Sequence, residues 1–197
     1  DIVNRYDKKY LKDSIDFYNL KYVVLKQDEK YSMFITNLLI DIGFKKIMVD
    51  GHYELWSIKP GKIYLTKVNF DSVLDELILG NGWSDKEEGQ KSRWIVGKTA
   101  KVFMNIKDTS YKKLIVEAEA IVRPQTVKVY INRNYAGKIN FKNGKNSRQE
   151  ISIGRFIKPE LNTIILQTKY THRFSKYAPG SKDNRLLSLR VSYISLE

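Results

Sequence analysis

The chain of 197 residues contains no cysteine and only 2 histidines. The missing cysteine excludes disulfide bonds and thiolate-ligated zinc. The HExxH, GxSxG, P-loop and GxGxxG patterns are missing too, and these are common marks of metalloproteases, serine hydrolases and nucleotide-binding enzymes. We interpret His52 as a surface or packing residue after a turn, and His172 as a solvated loop residue. The sequence therefore supplies no recognised catalytic constellation.

Long apolar segments are absent as well. The segments "YVVL" and "NLLI" are far shorter than the roughly 20 apolar residues that a membrane-spanning helix needs. No signal-peptide pattern is present. The chain begins with Asp1 rather than methionine. We therefore expect a processed protein or a piece of a longer one, with any membrane anchor outside this sequence.

The composition is that of a folded, basic protein. Hydrophobic residues make up 42% of the chain, which is enough for a buried core, and the formal net charge is +13. The lysines are scattered, with doublets such as Lys45–Lys46 and no basic run of five. We therefore predict no nucleic-acid partner. Two uses of the charge stay open, namely an anionic membrane surface and an acidic glycan.

Residues 1–62 are predicted to form a small α/β domain. Residues 8–19 and 31–42 carry apolar side chains at helical spacing, and Gly43 stands where a left-handed helix cap is needed. Strands are predicted for 21–25, 44–49 and 52–58, with a tight hairpin turn at Asp50-Gly51. The segment "KPGK" at 59–62 is interpreted as the domain boundary.

Residues 63–197 carry about eight short strands separated by turn signals. Alternating aliphatic residues predict one buried face for each strand, and the strand tyrosines are interpreted as packing residues. We predict an antiparallel β-sandwich, jelly-roll-like in arrangement. The fold class is thus α+β, with an αβαββ unit followed by the sandwich. The clearest alternating sets are Ala100, Val102, Met104 and Ile106; Val116, Ala118 and Ala120; and Val127, Val129 and Ile131.

The candidate site residues begin in the segment "GNGWSDKEEGQKSRW" at 80–94. Trp83 and Trp94 can form a stacking platform for sugar rings, with Glu88 and Arg93 as polar neighbours. We favour the alternative that Trp83 closes the end of the sandwich and that Glu88 and Arg93 form an ion pair.

Asp183 and Arg185 complete the candidate carbohydrate-binding set. They lie just ahead of the last predicted strand. They can pin a long loop through charge-assisted hydrogen bonds, or they can line a binding cleft. We predict no catalytic residue and no metal ligand.

Several segments follow one another as in a known class of domain. Gly82-Trp83, a glutamate, Arg93-Trp94 and an alternating strand are followed by "VYINRNYAGKI", "LNTIILQ" and "DNRLLSLRVSYISL". With the preceding "NLKYVVLKQD" and "LLIDIGFKKIMVDGHYELWSIKP", this succession resembles the soluble C-terminal extracytoplasmic domain of polytopic membrane glycosyltransferases that use lipid-linked sugar donors. Those domains carry a β-sandwich similar to carbohydrate-binding modules. Ser84-Asp85 departs from the proline or histidine that many relatives carry there.

The resemblance implies a non-catalytic, extracytoplasmic domain that is attached to a cell membrane through a segment outside this sequence. It also implies two partners, a glycan or glycolipid and the membrane portion of the same polypeptide. Catalytic acidic residues would lie in that membrane portion. No cofactor is expected, and no D-x-D-x-D loop indicates a calcium site.

Two other functions stay open. One is a stand-alone enzyme acting on polysaccharide, with Glu88 and Asp183 as acid and base. It requires the two carboxyl groups to lie within about 10 Å of each other. The other is a purely structural interaction module, in which the two tryptophans are buried and no aromatic-lined pocket is present.

Overall fold

The computed structural model describes residues 8–27, 32–72, 74–87, 89–176, 180 and 182–197. The chain divides into Asp1–Ile63 and Tyr64–Glu197, called unit 1 and unit 2 below. In the parts of the chain that the structure describes, no helix is long and apolar enough to cross a membrane.

Unit 1 packs two helices on a three-stranded antiparallel sheet with the order β1-β3-β2. Its elements are α1 Lys8–Tyr18, β1 Tyr22–Lys26, α2 Ser32–Ile42, β2 Lys45–Asp50 and β3 Tyr53–Ser57. Apolar residues from both helices and from the sheet meet in one core, because each element has an apolar face. The buried members are Ile15, Leu25, Leu39, Ile42, Phe44 and Trp56.

A glycine cap ends α2. Gly43 adopts a φ of 101°, which costs a glycine little because it has no Cβ atom. Its N–H donates to the carbonyl of Ile40 at 2.9 Å, and the N–H of Phe44 donates to the carbonyl of Leu39 at 2.9 Å. These are the paired bonds of a Schellman motif, so the predicted cap is confirmed.

The hairpin between β2 and β3 turns one residue later than predicted. Asp50 already pairs with Tyr53, so the two turn residues are Gly51 and His52 rather than Asp50 and Gly51. Gly51 has a φ of 56° and occupies the first turn position, where a type II′ turn needs a positive φ.

One carboxylate of unit 1 is buried. Glu54 is 3% exposed, accepts a hydrogen bond from the indole of Trp56 at 2.9 Å, and pairs with Lys46 and Gln27. The hydrogen bond from Lys46 is the largest cause that holds the pKa of Glu54 below its ordinary value. The negative charge of the Glu54 carboxylate is therefore compensated by side chains of unit 1 itself.

Unit 2 is a β-sandwich of two antiparallel sheets. One sheet has the order β6-β11-β8-β9, and in the other β10, β7 and β13 lie in that order, with β12, β4 and β5 also paired to β13. The predicted antiparallel sandwich is thus confirmed. The elements are β4 Lys67–Val68, α3 Leu74–Ile78, β5 Arg93–Val96, β6 Thr99–Ile106, β7 Lys113–Glu119, β8 Gln125–Ile131, β9 Asn134–Phe141, β10 Ser147–Ser152, β11 Glu160–Thr168, β12 His172–Arg173 and β13 Leu186–Leu196.

The alternating aliphatic residues form the sandwich core, as predicted. All ten residues of the three predicted sets are 0% exposed. Since side chains on a strand point to opposite faces in turn, the residues between them point outward. In β8 and β9 this places Lys128, Tyr130, Tyr135 and Lys138 on the outer face of the four-stranded sheet.

A two-residue turn joins β8 to β9. Asn132 and Arg133 have φ values of 51° and 71°, as a type I′ hairpin turn requires. Asn132 Nδ2 donates to the carbonyl of Phe156 at 3.0 Å, and its Oδ1 accepts from the N–H of Thr163 at 3.1 Å. The turn at "NRN" is therefore confirmed, and its side-chain bonds tie the hairpin to neighbouring segments.

Candidate functional site

The two candidate tryptophans lie on a short ladder between residues 82–84 and β5. Trp83 pairs with Ile95, while Ser84 donates its N–H to the carbonyl of Trp94 at 2.9 Å. Neighbouring positions on a strand point to opposite faces, so Trp83 and Trp94 project from opposite sides of the ladder. The predicted joint stacking platform is therefore not formed.

Trp83 is half-buried and held in place by its neighbours. Its indole N–H donates to the carbonyl of Lys101 at 2.7 Å, and its ring lies 5.3 Å from that of Phe70. The preceding Gly82 has a φ of 97°, and a Cβ atom there would lie 2.0 Å from the carbonyl oxygen of Thr99. The turn thus runs directly against the edge of β6, where only glycine fits.

Trp94 is 8% exposed, and its ring centroid lies 5.8 Å from that of Phe174. A ring this deeply covered presents no open face to a sugar. The purely structural alternative requires both tryptophans to be buried; Trp94 is buried, whereas Trp83 is only half-buried.

Arg93 makes structural contacts of the kind expected of a buried guanidinium. It is 6% exposed, donates to the carbonyl of Ser84 at 2.9 Å and pairs with Glu76 on α3. Glu88, its expected ion-pair partner, lies outside the described residues. The structure therefore places Glu76 at Arg93, and the roles predicted for Glu88 stay predictions.

Asp183 and Arg185 form a closed ion-pair cluster with Glu87. Arg185 donates to both carboxylate oxygens of Asp183, with Nη2 at 2.7 Å from Oδ2, and Nη2 also lies 3.2 Å from Oε1 of Glu87. The hydrogen bond from Arg185 lowers the pKa of Asp183, and the bond to Asp183 raises the pKa of Arg185. Asp183 is thus an anionic acceptor at neutral pH and a poor proton donor.

A further polar depression of about 290 Å³ lies on the outer face of the six-stranded sheet. Two of its charged side chains, Arg190 and Glu119, pair with each other, and Asn146 donates to Glu117 at 2.6 Å. A ligand there would have to break these bonds. The lining residues are Gln90, Lys91, Ser92, Glu119, Asn146, Arg190 and Ser192.

The outer face of the four-stranded sheet offers a more open arrangement. Tyr130 and Tyr135 lie directly opposite each other across the β8–β9 hairpin, with ring centroids 5.5 Å apart and planes at 58°. Tyr135 is 52% exposed. We call this surface the tyrosine face and define it by the outward side chains Thr126, Lys128, Tyr130, Tyr135, Lys138, Asn140 and Gln167.

Hydrogen-bonding side chains surround the tyrosine pair. The hydroxyl of Tyr130 lies 3.4 Å from Oε1 of Gln167, and the hydroxyl of Thr126 donates to Oδ1 of Asn140 at 2.8 Å. Gln167 and Lys128 are register partners one row away from the tyrosines. Rigid strands therefore hold aromatic, amide, hydroxyl and ammonium groups on one surface.

Next to the tyrosines the surface sinks into a depression of about 300 Å³. That volume is at the lower end of the range for small-molecule sites. The lining residues are Lys98, Thr126, Lys128, Gln167, Thr168 and Lys169.

Sequence reasoning missed this surface, although a signal for it was present. Val127, Val129 and Ile131 were predicted to point into the core, which forces Lys128 and Tyr130 outward by alternation. The turn at 132–134 then brings β9 alongside. The sequence analysis interprets the strand tyrosines as packing residues, whereas Tyr135 is 52% exposed in the structure.

Within the described residues, no group of three or more His, Cys, Asp or Glu side chains could hold a metal ion. Asp183 and Glu87 lie together, but Arg185 occupies the space that a cation would need.

No family model matches the chain, and no curated protein matches it. Among solved structures, it is similar to the CBM36-1 domain of a multidomain xylanase from the hindgut metagenome of Trinervitermes trinervoides, with 13% identity and a TM-score of 0.45, over 67% of this chain and 95% of that one. It is also similar to a CBM36 carbohydrate-binding module in complex with calcium and xylotriose, with 14% identity and a TM-score of 0.43, over 68% and 100%.

A third similar structure is CsCBM6-3 from Clostridium stercorarium in complex with cellobiose, with 8% identity and a TM-score of 0.39, over 68% of this chain and 92% of that one. At these identities and TM-scores the likenesses assign no ligand to this chain.

Proposed function

We propose that unit 2 is a glycan-binding module and that the glycan lies on the tyrosine face. The observation that carries the proposal is the pair of rings formed by half-buried Tyr130 and exposed Tyr135, beside amide and hydroxyl groups on one sheet. Aromatic faces pack against the apolar faces of sugar rings, and the neighbouring polar groups can bond sugar hydroxyls.

The segment at 80–94, which we call the tryptophan turn, and the loop at 183–185 support the proposal less well as a binding surface. Trp94 is buried, and Arg185 is already bonded to Asp183 and Glu87. A glycan at this end of the sandwich would replace charge-assisted bonds, which are the stronger kind. On the tyrosine face it would meet a half-exposed ring and partly free amides instead.

The setting that we propose is a membrane-bound glycosyltransferase or a surface-polysaccharide assembly protein. The chain would be its non-catalytic, extracytoplasmic part, and would bind or position glycan or brace the membrane part. The order of sequence segments from Gly82 to residue 196 supports this setting. Protease treatment of intact cells that express the full-length gene should cleave unit 2, and complete protection of unit 2 would contradict an external location.

Binding by the 197-residue chain can be tested on a glycan array, followed by calorimetry with each bound oligosaccharide. Tyr135→Ala should weaken binding about tenfold, since it removes an exposed stacking ring. Tyr64→Ala is the matched control, because Tyr64 is a 40% exposed tyrosine of the same unit that is not one of the side chains defining this face. Binding that Tyr135→Ala leaves unchanged would refute the tyrosine face as the site.

A purely structural interaction module is the second candidate function. The burial of Trp94, the pairing of Arg93 with Glu76 and the pairing of Arg185 with Asp183 favour it for the turn region. It predicts that no oligosaccharide on the array binds to the folded chain.

A further inference from the structure

The charge of the chain is concentrated in unit 2. Of the 35 lysines and arginines, 24 lie in residues 64–197, with 13 of the 22 aspartates and glutamates. Unit 2 therefore has a net charge of +11 and unit 1 of +2. A field of this sign raises the local concentration of anions around unit 2.

Within unit 2 the four-stranded sheet is almost free of acidic residues. Strands β6, β8 and β9 contain none, and β11 contains only Glu160 at its first position. Glu160 pairs with Ile106, at the end of β6. The tyrosine face therefore carries lysines without carboxylates to neutralise them.

Lys128 and Lys138 are direct register partners across β8 and β9. Like charges that face each other across a ladder are destabilising. Lys98 and Lys169 line the adjacent depression together with Lys128. None of these four lysines pairs with a carboxylate among the described residues, although Nζ of Lys169 lies 5.0 Å from the ring centroid of Tyr170. By contrast, Lys113 on the other sheet pairs with Glu150 at 2.9 Å.

We infer that the glycan on the tyrosine face is acidic, and that a carboxylate, sulfate or phosphate group on it enters the depression between Lys98, Lys128 and Lys169. The inference rests on the proposed glycan-binding function. An anion there offsets the positive charge of these lysines. Nε2 of Gln167 can donate to the oxygens of the anion, and Oγ1 of Thr126, whose proton is donated to Asn140, can accept from an adjoining sugar hydroxyl.

The geometry favours an acidic glycan over a nucleic acid or a membrane. Single-stranded nucleic acid is held by aromatic platforms along a continuous basic groove, whereas Tyr130 and Tyr135 are tilted by 58° to each other and the depression is confined to about 300 Å³. A membrane surface attracts flat basic patches, and a discrete hollow beside an aromatic ring suits one charged sugar unit better.

The test compares acidic and neutral sugars on the 197-residue chain by calorimetry. The probes are hexuronate and sulfated oligosaccharides, neutral cellohexaose and xylohexaose, a dT12 oligonucleotide, and vesicles with and without anionic lipid. We expect the tightest binding to an acidic oligosaccharide, with affinity falling as salt is raised.

The variant Lys128→Gln/Lys169→Gln should weaken acidic binding by about tenfold, on the order of the loss of a charge-assisted hydrogen bond. The matched control is Lys107→Gln/Lys145→Gln, which makes the same change of charge at two exposed lysines outside the tyrosine face. An equal loss in both variants would overturn the inference, because it would reflect only the overall field.

The remaining outcomes separate this inference from the proposed function. Binding of neutral sugars alone would overturn the acidic ligand while leaving a glycan-binding module. Binding of no sugar would overturn both. Tighter binding of dT12 or of anionic vesicles than of any acidic sugar would overturn the inference in favour of that partner.

Discussion

At the scale of single residues, backbone geometry limits which residues fit in the tryptophan turn more than side-chain chemistry does. Gly82 has a positive φ and leaves no space for a Cβ atom beside Thr99. Gly89, in the same segment, also has a positive φ, of 73°, but has open space around it. The two glycines therefore separate the cost of backbone strain from the cost of a steric clash.

We expect Gly82→Ala to lower the free energy of unfolding of unit 2 by about 3 kcal/mol or more, because a clash is added to an unfavourable φ. Gly89→Ala should cost only about 1–2 kcal/mol, the backbone part alone. Urea titrations followed by tryptophan fluorescence measure both. An equal loss of unfolding free energy in the two variants would show that Gly82 does not lie as close to β6 as described.

The buried Glu54 gives unit 1 a pH dependence of known sign. Its pKa is lowered in the folded state, chiefly by the bond from Lys46. A lowered folded pKa stabilises the protein above the unfolded pKa, and this stability is lost as the pH falls through the folded value. The stabilisation should therefore be present at neutral pH and should fade in acid.

We expect Glu54→Gln to destabilise unit 1 by about 1 kcal/mol at about pH 7 and by much less at about pH 3. Urea titrations at both pH values, followed by circular dichroism, measure the difference. Asp41→Asn, at an exposed ion pair with Lys8, should have little effect at either pH. If Glu54→Gln destabilised unit 1 more at pH about 3 than at pH about 7, the predicted direction of the pH dependence would be wrong.

At the scale of elements, the β8–β9 hairpin positions the tyrosine face. Its turn residues, Asn132 and Arg133, both have positive φ values. Only Asn132 adds side-chain bonds to neighbouring segments, including one to Oδ1 of Asn162 at 2.8 Å. The hairpin register depends on this turn, and Tyr130 and Tyr135 meet only in that register.

Glycine at each of the two turn positions should have opposite effects. Arg133→Gly should stabilise unit 2 slightly, by at most about 1 kcal/mol, because it removes the cost of a left-handed residue. Asn132→Gly relieves the same cost but deletes the side-chain bonds, so we expect a net loss of about 1–3 kcal/mol. Thermal unfolding measures both, and a stabilising Asn132→Gly would contradict the proposed anchoring.

At the scale of the whole molecule, the sandwich could be predicted because burial imposes a period of two on its strands. The sets from Ala100 to Ile131 are all buried. The position of Gly43 at the helix cap was predictable for a similar reason, since few other residues adopt its φ. These features depend on local patterns, which a sequence displays directly.

The candidate site was harder to predict, because it depends on which strands become neighbours. Trp83 and Trp94 are 11 positions apart in sequence, yet the ladder turns them to opposite faces. Arg93 pairs with Glu76, from a helix that the sequence analysis did not predict. The tyrosine face forms only if β11 pairs with β8, and no local sequence pattern predicts which strands pair.

The most direct test of the account is to map the bound glycan on the folded chain by backbone amide NMR. An ¹⁵N-labelled sample would be titrated with the acidic oligosaccharide that binds most tightly. The account predicts that the largest shifts fall in β8, β9 and the second half of β11, around Lys128, Tyr135 and Gln167. Shifts centred instead on Trp83, Trp94 and Arg185 would contradict it, and would return the site to the tryptophan turn and the 183–185 loop.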